Sequence, residues 1–84
     1  MAFGADALAA NTTGADNVGI GNSALATNIG GSQNLALGSD AMTDNISGSS
    51  NVALGHQAGS TLTTGSSNIL IGPSAWTPAV GTSN

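Results

Sequence analysis

The sequence predicts an all-β fold, a parallel β-solenoid of β-roll type with five rungs of 17 residues. Three observations predict it. A nine-residue phrase recurs at constant spacing, apolar residues alternate within it, and a glycine always closes the alternation. The phrase is Asn17-Val18-Gly19-Ile20-Gly21-Asn22-Ser23-Ala24-Leu25. It returns as Asn34-Leu35-Ala36-Leu37-Gly38-Ser39-Asp40-Ala41-Met42 and as Asn51-Val52-Ala53-Leu54-Gly55-His56-Gln57-Ala58-Gly59. Its last appearance is Asn68-Ile69-Leu70-Ile71-Gly72-Pro73-Ser74-Ala75-Trp76, and the opening Met1-Ala2-Phe3-Gly4-Ala5-Asp6-Ala7-Leu8 fits the same frame without the leading Asn. The chain thus reads as a single repeat domain, 1–84, with rungs 1–16, 17–33, 34–50, 51–67 and 68–84.

Each place in the rung has its own physical reading, numbered from the leading asparagine as the first place. The second and fourth places are apolar (Val18/Ile20, Leu35/Leu37, Val52/Leu54, Ile69/Ile71), which predicts a strand whose bulky face is buried. The fifth is always glycine (Gly4, Gly21, Gly38, Gly55, Gly72), as a turn with positive φ or close backbone approach requires. The eighth is alanine, and the ninth is usually large and apolar. A second turn is expected near Gly14, Gly31, Gly48 and Gly65. The intervening stretch is too short and too rich in Asn, Thr and Ser for a stable helix.

Stacking explains two further columns. Asn17, Asn34, Asn51 and Asn68 fall above one another, so their side-chain amides are expected to form a structural ladder along the axis. The third place points opposite to the second and fourth yet is also nonpolar: Ala2, Gly19, Ala36, Ala53 and Leu70. A strand apolar on both faces is covered on both. The third-place column is therefore expected to be the oligomer face, its small residues meeting another copy.

Composition narrows the function. Large apolar residues (Val, Ile, Leu, Met, Phe, Trp) number 19 of 84, too few for a generous core, so help from partner chains is expected. There is no cysteine and therefore no disulfide. The chain has no Lys or Arg and a formal net charge of −4, which argues against nucleic acid and anionic membrane surfaces as partners. No apolar run reaches spanning length, so membrane insertion is not expected, and the opening Met1-Ala2-Phe3-Gly4-Ala5-Asp6 does not read as a signal peptide.

The phrases at 17–25, 34–42 and 51–59 resemble the Asn-x-Val/Ala-x-Ile-Gly-x-x-Ala/Ser repeats of trimeric autotransporter adhesin heads. The stretches 21–34 and 4–14 are similar to repeats of bacteriophage tail fibres and related bacterial surface proteins. The unit here is longer than the usual adhesin-head repeat. The resemblance implies side-by-side homotrimers, an extracellular setting on a cell-surface appendage or virion, and a structural or adhesive fibre role. The variable turns (Asn22-Ser23, Ser39-Asp40, His56-Gln57) are then candidates for touching a receptor or glycan. Two alternatives stand beside this reading: a self-assembling extracellular filament subunit stacking end to end, and an ice- or carbohydrate-binding solenoid.

Candidate chemical sites are weak. His56 occupies the sixth place, which elsewhere holds Ala5, Asn22, Ser39 and Pro73, as a solvated turn would. Asp40 and His56 with one of many serines form no marked triad. Asp6, Asp16, Asp40 and Asp44 share no common place and match no calcium repeat. Gly19-Ile20-Gly21 lies within a repeat and opens no helix, against a nucleotide loop. No catalytic residue, metal or cofactor is expected, and the chain is not expected to be an enzyme. The eleventh place (Ala10, Thr27, Asp44, Thr61, Pro78) breaks any threonine array for ice. Asn11-Thr12-Thr13 and Asn45-Ile46-Ser47 match the glycosylation pattern at a density chance explains. Pro73, Trp76 and Pro78, found only in the last rung, are expected to end the stack and blunt the sheet edge.

Overall fold

The structure, a computed structural model, describes residues 1–75. It contains β1 (Ala2–Phe3), β2 (Val18–Ile20), β3 (Leu35–Leu37), β4 (Val52–Leu54) and β5 (Ile69–Ile71). They form one all-parallel sheet in the order β1-β2-β3-β4-β5. The register is regular: Val18 faces Leu35, Leu35 faces Val52, and Val52 faces Ile69. A strand pairing in parallel with its counterpart 17 residues on, four times over, is a solenoid-like repeat arrangement.

The strands are short because glycine ends them at once. Gly4, Gly21, Gly38, Gly55 and Gly72 have φ between +121° and +133°, a region closed to other residues. They are also stacked backbone to backbone. A Cβ on Gly38 would stand 2.5 Å from the Gly55 carbonyl oxygen, and one on Gly21 would stand 2.6 Å from that of Gly38. Steric room and φ both demand glycine at Gly4, Gly21, Gly38 and Gly55, and φ does at Gly72.

Beyond the strand the coil turns through left-handed residues at fixed places. The seventh (Asp6, Ser23, Asp40, Gln57, Ser74), the ninth (Leu8, Leu25, Met42, Gly59) and the seventeenth (Asp16, Gln33, Ser50, Ser67) all have φ near +60°. For Leu25 and Met42 this backbone is unfavourable by about 1–2 kcal/mol. Burial offsets it, because both side chains are fully enclosed.

The core corrects the expectation about the two strand faces. Ala36 and Ala53 are fully buried, Leu70 is nearly so, and Gly19 is buried too. They pack with Ala24, Leu25, Ala41, Met42, Ala58 and Leu62 in one cluster. The third-place column is therefore the interior of the coil and not an oligomer face; Ala2, its member in the first rung, is exposed. The bulky second and fourth places, expected inside, point outward. The reason is volume. A thin coil leaves room between its walls for Gly or Ala facing one Leu or Met, but not for a further pair of branched side chains.

Candidate functional site

Side-chain ladders hold the rungs in register; the expected amide-to-amide bond is made from Asn68 Nδ2 to Asn51 Oδ1 (3.1 Å), and the column also works through the backbone. In the first-place column, each Oδ1 accepts the backbone N–H of the next asparagine: Asn34 N to Asn17 Oδ1 (2.9 Å), Asn51 N to Asn34 Oδ1 (3.0 Å) and Asn68 N to Asn51 Oδ1 (3.0 Å). Each Nδ2 of Asn17, Asn34 and Asn51 donates to a glycine carbonyl across the coil: Gly31, Gly48 and Gly65, at 2.7–2.8 Å. Each of Asn17, Asn34 and Asn51 thus ties its own rung closed and ties it to the next.

Two ladders escaped the sequence reading. At the twelfth place Asn28 Nδ2 donates to Asn11 Oδ1, and Asn45 Nδ2 to Asn28 Oδ1, both at 2.8 Å. Asn11, Asn28 and Asn45 also donate to the glycine carbonyls three residues on. At the sixteenth place Ser32, Ser49 and Ser66 present Oγ to the backbone N–H of the preceding rung, from Ala15, Ser32 and Ser49, at 3.0–3.1 Å. Both columns recur visibly at the 17-residue spacing. They were missed because Asn and Ser near a turn already have a local explanation. The twelfth-place ladder also decides the glycosylation pattern: Asn45 is fully buried with both amide hydrogens engaged, so it takes no glycan while folded.

His56 is exposed on its turn. Among the described residues no group of three or more His, Cys, Asp or Glu is placed to hold a metal ion, no pocket is enclosed, and no helix is long and apolar enough to cross a membrane. Pro73 does not blunt the sheet as expected. The sixth-place residue contributes its carbonyl to the stack, as Ala5, Asn22, Ser39 and His56 do toward Ser23, Asp40, Gln57 and Ser74. Its N–H makes no bond, so proline there removes no ladder donor. The expectations for Trp76 and Pro78 fall outside the described residues.

What remains is a surface. The outward strand face carries two apolar columns, Met1, Val18, Leu35, Val52 and Ile69 beside Phe3, Ile20, Leu37, Leu54 and Ile71. Met1 and Phe3 are 65% exposed, Leu37 46%, and Ile69 and Ile71 67%. The columns run about 19 Å along the axis, four steps of ~4.8 Å, without a charged side chain. Compared with known protein families, curated proteins and solved structures, the chain gives no significant match. The structure itself supports a small repetitive β-fold, consistent with a non-catalytic structural module.

Proposed function

We propose that the chain is a non-catalytic structural module of an extracellular fibre, either a cell-surface appendage or a tail fibre, that works by packing copies side by side as a trimer. The observation that carries this reading is the outward apolar strand face. Soluble monomers rarely leave a continuous strip of Val, Ile, Leu and Phe in water. Here it is free of charged side chains and repeated on every rung. Three such strips meeting along one axis would hide it and leave the polar turns outside. The motif resemblance to adhesin heads and tail fibres, and the absence of any trypsin-type cleavage residue, support the extracellular setting. In that assembly Asn22-Ser23, Ser39-Asp40 and His56-Gln57 form the variable outer turns through which a receptor or glycan is met.

Light scattering behind size exclusion tests the proposal. The expected mass is a multiple of three copies, its smallest unit three at low micromolar concentration, and Leu37→Asp plus Leu54→Asp abolishes that threefold step without loss of β-structure. A wild-type mass of one copy across that range sinks the lateral reading.

A further inference from the structure

The contact between successive rungs is made at both ends of the described stack by groups left open. Within the chain, a rung donates backbone N–H groups from its third, fifth and seventh places to carbonyls of the second, fourth and sixth places of the rung before, besides one from the seventeenth place, as Gln33 to Ala15. Gly19, Gly21 and Ser23 donate to Met1, Phe3 and Ala5 at 2.7–2.8 Å, and Gly72 and Ser74 donate to Leu54 and His56 at 2.7–2.8 Å. By that pattern, Ala2, Gly4 and Asp6 direct the same three donors away from the stack, and among the described residues none of them meets an acceptor. At the other end Ile69, Ile71 and Pro73 offer the matching carbonyls, likewise without a donor among the described residues.

Three further features fit the two ends to each other. The interior columns that are fully buried at Ala24, Leu25 and Asn28 are only half-buried at Ala7, Leu8 and Asn11, so the first rung lies open where every later rung is covered. Gly72 keeps φ +124°, and a Cβ built on it meets nothing within 4 Å among the described residues, whereas the equivalent Cβ on Gly55 would stand 2.7 Å from the Gly72 carbonyl oxygen. The usual guards of a strand edge are missing: β1 has no proline, charge or bulge, and Pro73 retains the carbonyl the contact uses.

From this geometry we infer that a second copy of this chain docks its β1 edge on the β5 edge of the first, adding a sixth rung in register, so that copies grow end to end into threads. Ala2, Gly4 and Asp6 of the incoming copy donate to Ile69, Ile71 and Pro73. The contact is head-to-tail, so it does not close on itself. In the seventh-place column Asp6 meets neutral Ser74, and no aspartate opposes it. The net charge of −4 per copy still repels at long range, so salt lengthens the threads. The inference stands apart from lateral packing, which saturates at a fixed number of copies whereas stacking does not.

The test follows the mass of the full 84-residue chain over a hundredfold range of concentration, at low and at moderate salt, with the same samples imaged by negative stain. The expected result is a mass that rises without plateau, and thin threads whose aligned fibres give a reflection near 4.8 Å along the thread axis. Ala2→Pro removes one joint donor that meets no acceptor among the described residues, and Gly72→Ala places a methyl that touches none of the described residues and faces the joint. Each is expected to shorten threads at least tenfold with the far-ultraviolet dichroism of the parent, and a mixture of the two is expected to stop at two copies along the axis. Leu37→Asp plus Leu54→Asp, which disturbs only the side face, narrows the threads and spares their length. A mass that plateaus at one or three copies, a 4.8 Å reflection across the thread, or threads indifferent to both joint variants overturns the inference; should one variant fail to fold, the other and the diffraction still decide.

Discussion

Gly59 and Leu70 exchange volume across neighbouring rungs: a Cβ on Gly59 would stand 2.9 Å from Leu70 Cδ1. The ninth place of each rung abuts the third place of the next, as Leu8 abuts Gly19. In the lower rungs the large partner sits at the ninth place (Leu8, Leu25, Met42) and the small one at the third (Gly19, Ala36, Ala53). At the fourth step the sizes swap. The expected outcome is a strongly coupled pair. Leu70→Ala alone opens a cavity and costs about 2–5 kcal/mol, and Gly59→Leu alone overpacks by about 1–3 kcal/mol besides the about 1–2 kcal/mol of a leucine at φ +65°. The double variant recreates the Leu25–Ala36 pairing and recovers most of both. A double-mutant cycle by denaturant unfolding with a coupling below about 0.5 kcal/mol would contradict this packing.

A similar irregularity ends the twelfth-place ladder. Leu62, fully buried, occupies the place above Asn45 where another asparagine would donate, and the buried Oδ1 of Asn45 has no partner. Asn28 therefore carries more than Asn45. Asn28→Leu removes three bonds, two to side-chain partners and one to the Gly31 carbonyl. Asn45→Leu removes two and moves the orphan oxygen from Asn45 to Asn28. With about 0.5–1.5 kcal/mol for each hydrogen bond lost, Asn28→Leu is expected to be the more destabilising by about 1 kcal/mol. Equal unfolding midpoints for the two variants would refute the ladder's asymmetry.

Much of the fold was legible, for a definite reason. A solenoid writes its contacts into the sequence as periodicity, so the parallel register followed from spacing alone, as did the place of Gly38 over Gly55. The interior was misread because alternation shows that a strand has two faces without saying which is inside. The usual inference places the larger residues inward, and here Ala36 and Ala53 are enclosed while Leu37 is not. The outward apolar face that carries the functional proposal was thus visible as a column but assigned to the wrong side. The left-handed backbone at Leu25 and Met42 was not legible, since neither residue type favours it and only the closed coil imposes it.

Glycine substitutions at the fifth place separate two costs that coincide inside the stack. Gly38→Ala meets the backbone of Gly55 at 2.5–2.6 Å and also holds φ at +133°, whereas Gly72→Ala incurs only the φ cost. The latter is expected to cost about 1–3 kcal/mol, and the former clearly more, with failure to fold within reach for a domain of ordinary stability. Thermal unfolding followed by circular dichroism checks the ranking. A Gly38→Ala variant as stable as Gly72→Ala would mean that the rungs can part at the turn without consequence.

Proline provides the sharpest probe of which N–H groups join the rungs. His56 and Gln57 are adjacent turn residues, both exposed, and composition alone would treat them alike. Their backbones differ. His56 contributes only its carbonyl, to Ser74, at the place where Pro73 sits one rung on, after a glycine of nearly the same φ. Gln57 donates its N–H to Ser39 at 2.9 Å and has φ +59°, which proline cannot adopt. His56→Pro is therefore expected to be neutral or to stabilise by about 0.4–1 kcal/mol through the unfolded chain, while Gln57→Pro loses about 3 kcal/mol or more. Unfolding midpoints of the two variants measure this directly. A large loss at His56 would show that this side chain or its N–H is engaged in the assembled protein, and would move the turn from the periphery of the functional surface to its centre.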